Sequence, residues 1–156
     1  MADFLVNQVL WTAFAASILA QILKVPLYFI TDRKFDLERA WETGGLPSSH
    51  AAGVSALMIG VGITEGWGSP TFAVAAMLAG VVMYDASGIR MAAGRQAARL
   101  NRLLNELATK GFVTLGENSE PPLEELLGHN QLEVFVGALF GALVAILSFN
   151  YIYIGL

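Results

Sequence analysis

The chain has 156 residues, which is the length of one domain, and residues 1–156 are read as a single unit. It is 55% hydrophobic and only 14% charged, whereas soluble domains carry about a quarter charged residues. That balance excludes an ordinary water-soluble fold and points to a membrane. The net charge of −4 argues against nucleic acid as the main partner, and without cysteine there is no disulfide and no thiolate metal site.

In chain order, the first apolar stretch covers 4–30, interrupted by Asn7, Gln8, Gln21 and Lys24. No Lys or Arg precedes it, so it lacks the basic region of a cleaved signal peptide. The loop "TDRKFDLERAWETGG" mixes both signs and is expected to carry a short surface helix. The second stretch, 51–63, approaches a full span if Pro47 begins its helix, and the third covers 70–86. The segment "GIRMAAGRQAARLNRLLNELATKG" follows, with Leu100, Leu103, Leu104 and Leu107 at helical spacing, and predicts an amphipathic helix ending near Gly111. In "GENSEPPLEELLG" a further short helix is expected, starting at Ser119 or Glu120 before Pro121 and stopping at Gly128. The last apolar stretch runs over 132–156; its Gly137 and Gly141 form a close-packing face, either inside one protomer or toward a second copy in a homo-oligomer.

A bilayer core takes roughly 20 apolar residues as helix. The outer two stretches meet that easily and the inner two barely, so the inner pair also fits the core of a compact bundle. All nine Lys and Arg fall near three places: Lys24 late in the first stretch, Arg33, Lys34 and Arg39 in the first loop, and the run from Arg90 to Lys110. Four spanning helices put both basic loops on one side and the bare regions on the other. The positive-inside rule then sets the termini outside and the basic loops on the cytoplasmic side. The expected fold is an all-α membrane bundle of about four transmembrane helices with one or more amphipathic surface helices, surrounded by membrane lipids.

The chemistry-bearing residues collect at one end of that bundle. Lys24 lies at the inner end of the first helix, "PSSH" (47–50) opens the second, "YDASGIR" puts Asp85 and Arg90 at the end of the third, and "GHNQLE" puts His129 and Glu133 at the start of the last. A helix amino terminus offers unpaired N–H groups and a favourable dipole to an anion. Ser48 or Ser49 either donates a hydroxyl there or simply caps the helix. Lys24 either joins the anion site or snorkels to the interface. His129 and Glu133, four residues apart, share a helix face, so the carboxylate can hold one ring nitrogen and leave the other free to attack. Asp85 is expected to pair with an arginine and steady it. Arg95, Arg99 and Arg102 are expected at a solvated surface, Arg95 being the one best placed to turn inward.

These residues resemble the type 2 phosphatidic acid phosphatase superfamily, which includes the vanadium-dependent haloperoxidases, and more closely its small divergent branch. "LPSSH" is similar to the Pro-Ser-Gly-His element with Ser49 in place of Gly; "HNQLE" is similar to the final His and Asp with Glu133 in place of Asp; Lys24 fits the lysine of the first element. "YDASGIRMAAGRQA" and "LLGHNQLEV" resemble segments of the divergent branch, while the superfamily's Ser-Arg pair before the second histidine is missing, so Arg90 or Arg95 must replace its arginine. The resemblance implies a phosphatase fold core and a phosphomonoesterase that needs neither cofactor nor metal. His129 would attack phosphorus, Glu133 would steady it, and His50 would protonate the leaving oxygen. Lys24, Ser48, Ser49, Arg90 and Arg95 would neutralise the phosphoryl oxygens of a lipid-linked phosphate. Two other classes stay open: a membrane protein that binds lipid phosphates without hydrolysing them, and a haem protein using both histidines as axial ligands.

Overall fold

Small residues decide how this chain packs. The computed structural model describes residues 6–32, 44–113, 121–125 and 127–154. Its helices are α1 (Gln8–Asp32), α2 (Ser49–Glu65), α3 (Pro70–Tyr84), a π turn (Asp85–Ile89), α4 (Arg90–Thr109) and α5 (Gln131–Ile154). The described residues contain no strand. α2 is the hub: it packs on α1, α3 and α5, and α1 also meets α5.

The buried interior is largely alanine, with Ala16, Ala20, Ala51, Ala52, Ala56 and Ala145 at 0% exposure. The large apolar side chains face outward instead: Phe14, Ile18 and Ile22 on α1, Met77 and Val81 on α3, Phe135, Leu139 and Leu143 on α5. A water-soluble protein would reverse this arrangement. In lipid it is favourable, because small residues let helices approach closely while large ones meet hydrocarbon at no penalty. Among the described residues three helices are long and apolar enough to cross a membrane: Gln8–Phe29, the continuous run Pro70–Thr109, and Gln131–Asn150.

α2 departs from the expected full span. Ser48, not Pro47, ends the preceding loop: its hydroxyl accepts from the Ala51 N–H at 3.3 Å, and the helix begins at Ser49. Gly66, at φ +91°, stops it after 17 residues, or about 25 Å at 1.5 Å per residue. That is a few ångströms short of a hydrocarbon core of about 30 Å. Being enclosed by three neighbours, α2 meets protein more than lipid along much of its length.

α2 and α5 run in parallel with a constant offset. A Cβ on Gly137 would strike the Ser48 carbonyl, one on Gly141 the Ala52 carbonyl, and one on Gly60 would lie 3.2 Å from the Phe149 ring. Gly137 and Gly141 are both buried, so they pack the chain on itself, the intramolecular one of the two roles open to them. Ser55 donates to the Ala138 carbonyl at 2.8 Å, and Thr12 and Ser148 share a hydrogen bond of 3.1 Å between α1 and α5. This register brings Ser48 beside the start of α5.

Two further expectations are corrected. The third stretch and the amphipathic segment are one 40-residue helix rather than two, widened by the π turn at 85–89. The helix expected to end at Gly128 does not form over 121–125 or at 127; its proposed start at Ser119 or Glu120, like the surface helix in the first loop, lies outside the described residues. Asn101 of α4 holds this segment extended: its Nδ2 donates to the Leu123 carbonyl and to Glu125 Oε1, both at 2.8 Å, and its Oδ1 accepts from the Leu123 N–H at 3.0 Å. Two of those bonds occupy the Leu123 backbone groups that a helix would need. Asn101→Ala is expected to cost about 1–3 kcal/mol locally and to speed cleavage after Glu124 and Glu125 by a glutamyl endopeptidase. An unchanged cleavage rate would show that Asn101 does not hold the segment.

Candidate active site

The site forms where four chain segments end together. Gly128, at φ +87°, turns the chain tightly against α4, where a Cβ would lie 2.5 Å from the Met91 nitrogen. The next residue, His129, donates its backbone N–H to the Ala86 carbonyl in the π turn at 2.9 Å. Its side chain is 1% exposed.

Asn130 then opens α5 with a capping box, the Asn-x-x-Glu pattern in which cap and third residue bond reciprocally. Glu133 N–H donates to Asn130 Oδ1 at 2.8 Å, and Asn130 N–H donates to Glu133 Oε2 at 3.3 Å. Asn130 Nδ2 adds a bond to Glu133 Oε1 at 2.7 Å. So held, Oε2 lies 2.9 Å from His129 Nδ1. An ionised carboxylate can only accept, so Nδ1 carries the proton and Nε2 keeps its lone pair in the neutral ring. Nε2 is buried and has no hydrogen-bond partner among the described residues. Burial is the main influence holding the His129 pKa below its ordinary value. The Glu133 hydrogen bond opposes it, the Lys24 charge adds to it, and the Glu133 charge and the Gly45 backbone act upward.

His50, in the first turn of α2, is exposed, and its ring stands edge-on to His129 with centroids 6.1 Å apart. The Ser48 N–H donates to the Glu133 carbonyl at 3.1 Å, tying the α2 cap to the helix that carries Glu133. Ser48, fully buried, is therefore the cap, while Ser49 remains partly exposed beside His50. Lys24 is 1% exposed, and its Nζ donates to the Gly44 carbonyl at 2.9 Å. Its charge acts on both imidazoles.

Asp85 and Arg90 pair at 2.8 Å. Five residues apart, they would diverge on an α-helix; the wider π turn brings them onto one face. Their charges both act on His50. Arg95 is not brought to the histidines: it is exposed on α4 and makes no hydrogen bond or ion pair among the described residues. Asn130 and the π turn are the features of the candidate site that sequence reading missed. The Asn-x-x-Glu spacing was the available signal for the first; the second leaves none in the sequence. Among the described residues no cluster of three or more His, Cys, Asp or Glu could hold a metal ion.

No solved structure matches the chain. It is 42% identical over 150 residues to the uncharacterized membrane protein YuiD of Bacillus subtilis (strain 168), covering 92% of this chain and 95% of that one. Outward-facing apolar helices and this relative identify a membrane protein. Residues 5–144 match the family described as Divergent PAP2, and the chain belongs to that family.

Proposed function

We propose that this protein is a membrane phosphatase that hydrolyses a lipid-linked phosphate, of the phosphatidate, phosphatidylglycerol phosphate or polyprenyl phosphate class, through a phosphohistidine and without a metal. The observation that carries this reading is the buried Nε2 of His129, unpartnered among the described residues while Nδ1 is fixed by Glu133. An imidazole held in that way is an oriented nucleophile. Nε2 attacks phosphorus, the N–P bond forms and the P–O bond to the lipid breaks. His50 in its protonated form gives its proton to the departing oxygen. Water then attacks the phosphohistidine, His50 takes a proton from it, and inorganic phosphate leaves with Nε2 restored. Lys24, Arg90 and the free N–H groups of the α2 first turn near Ser48 and Ser49 neutralise the phosphoryl oxygens, the main catalytic contribution in such transfers. Arg95, offered by the family resemblance, has no support from its surroundings.

A second reading is a lipid-phosphate binder without turnover. It is favoured by the pairing of Arg90 with Asp85, which already spends part of the cation's charge. Release of inorganic phosphate by purified protein from a panel of lipid phosphates, with chelator present and vanadate as challenger, decides between the two. Vanadate-sensitive release supports the enzyme; binding of the same lipids with no release supports the binder.

The acid limb of the pH dependence follows from His129. Its neutral ring is the nucleophile, and a lowered pKa keeps the ring neutral further into acid. The acid limb of kcat/KM is therefore expected below pH 6.5, the ordinary imidazole value. Glu133→Gln removes the upward influence of the carboxylate, so the limb should move to still lower pH while kcat falls. A limb that moves upward in that variant would refute the assigned pairing.

The distribution of Lys and Arg supports an orientation with the site end on the cytoplasmic side and the termini outside. The chain has no cysteine, so a single Ser69→Cys in the α2–α3 connection should be labelled by an impermeant maleimide from outside intact cells. Labelling only after lysis would invert the topology.

A further inference from the structure

We propose that the groove between α1 and α2 seats one hydrocarbon chain of the lipid phosphate, with the phosphate end at His50. The placement of the phosphate rests on the phosphatase reading; the seat for the chain rests on the groove itself.

The groove is a cavity of about 260 Å³ lined by Leu10, Ala13 and Phe14 of α1 and by His50, Gly53 and Leu57 of α2, among others. These positions recur about one helical turn apart on each helix, so the groove runs along the helices rather than across them. From His50 to Leu57 that is about 10 Å at 1.5 Å per residue. The helices touch at its floor, where a Cβ on Gly53 would lie 3.3 Å from Ser17 Cβ and 3.6 Å from the Ala13 carbonyl. Apart from Ser17, the lining is apolar until it reaches Ser49 and His50.

That polarity gradient selects the occupant. The wall belongs to α1, whose stretch Gln8–Phe29 is apolar enough to cross a membrane, and Phe14 is half exposed on the outside of the bundle. The polar end meets the site: the His50 ring is 6.1 Å from that of His129, and the Lys24 and Arg90 charges act on His50. An amphiphile with an anionic head and an apolar tail matches both ends, and a peptide or soluble metabolite matches only one. The volume lies just below the roughly 300–1,000 Å³ of drug-sized ligand sites, which fits one chain and leaves a second chain of a diacyl lipid in the bilayer.

The test is photolabelling of the full-length protein in nanodiscs with a monoacylglycerol phosphate carrying a mid-chain diazirine. A choline-headed probe with the same chain serves as comparison. In the His129→Ala background the phosphate probe is not consumed, so loss of catalysis and loss of the chain seat are read separately. Labelling is expected on residues 10–17 and 53–57, reduced by excess inorganic phosphate and stronger than with the choline probe. Ala13→Phe, which fills the groove, should lower it about tenfold or more, the scale on which pockets reject misfit groups. Phe14→Ala, which removes bulk and so keeps the fold, should spread labelling along α1. Equal labelling by both probes means lipid of the surrounding bilayer only and overturns the proposal. Labelling on other helices, or labelling unchanged in both groove variants, overturns it as well.

Discussion

His129→Ala is expected to abolish phosphate release, by about 10³-fold or more, as removal of a covalent nucleophile does. The fold should survive the change. His129 ties into the structure through its backbone N–H to Ala86, which alanine keeps, and its side chain is held by Glu133. The thermal midpoint in detergent should therefore move by a few degrees at most. His50→Ala should also remove hydrolysis of lipid phosphates, with even less effect on stability because the ring is exposed. The two variants separate on a nitrophenyl phosphate. Its leaving group departs without a proton, so His50→Ala should still release a burst of about one nitrophenol per protein and then turn over slowly, because no base activates the water, while His129→Ala gives no burst. Brief incubation of His50→Ala with labelled substrate should trap acid-labile, base-stable phosphate on the protein. Full activity in His129→Ala would remove the assigned nucleophile.

Gly141→Val is expected to be the most damaging change away from the site. Any side chain there meets the Ala52 carbonyl, a backbone atom that cannot rotate away, so α5 must shift off α2. Overpacking of this kind costs about 1–3 kcal/mol, and a larger loss is expected here because both surfaces are helix backbone. The shift also acts at a distance. The register that places Ala52 on Gly141 places Ser48 on Gly137, and Ser48 donates its N–H to the Glu133 carbonyl. Gly141→Val should thus lower the thermal midpoint and lower activity together, and Gly137→Ala should do both more mildly. Wild-type stability of Gly141→Val in a thermal unfolding series would show that the helices are not in this contact.

Much of the candidate site was legible because its signals are local. The capping residues before α2, the four-residue spacing of His129 and Glu133, and the apolar stretches all lie within a few neighbours along the chain. The serines were ambiguous for the same reason: cap and phosphate donor share one sequence pattern, and only the 3.3 Å bond to the Ala51 N–H makes Ser48 the cap. The segment 121–128 misled because Pro and Glu at a helix start and Gly at its stop are local preferences. Asn101, more than twenty residues away, overrides them with three hydrogen bonds.

By itself, then, the sequence determined the solvent and the ingredients. An oily composition with clustered cations dictates a membrane bundle, since lipid tolerates no unpaired backbone and few stray charges. It also brought two histidines, a carboxylate and a lysine to one end of that bundle, because helices that cross a membrane must end at one face or the other. Tertiary structure decided which of these meet. The pairing of Arg90 with Asp85 depends on a π turn that no residue spacing announces. The burial of Lys24 and the offset of α2 on α5 depend on side chains from separate helices fitting one another. Periodicity can say which face of a helix is apolar or small; only packing says which neighbour lies against it.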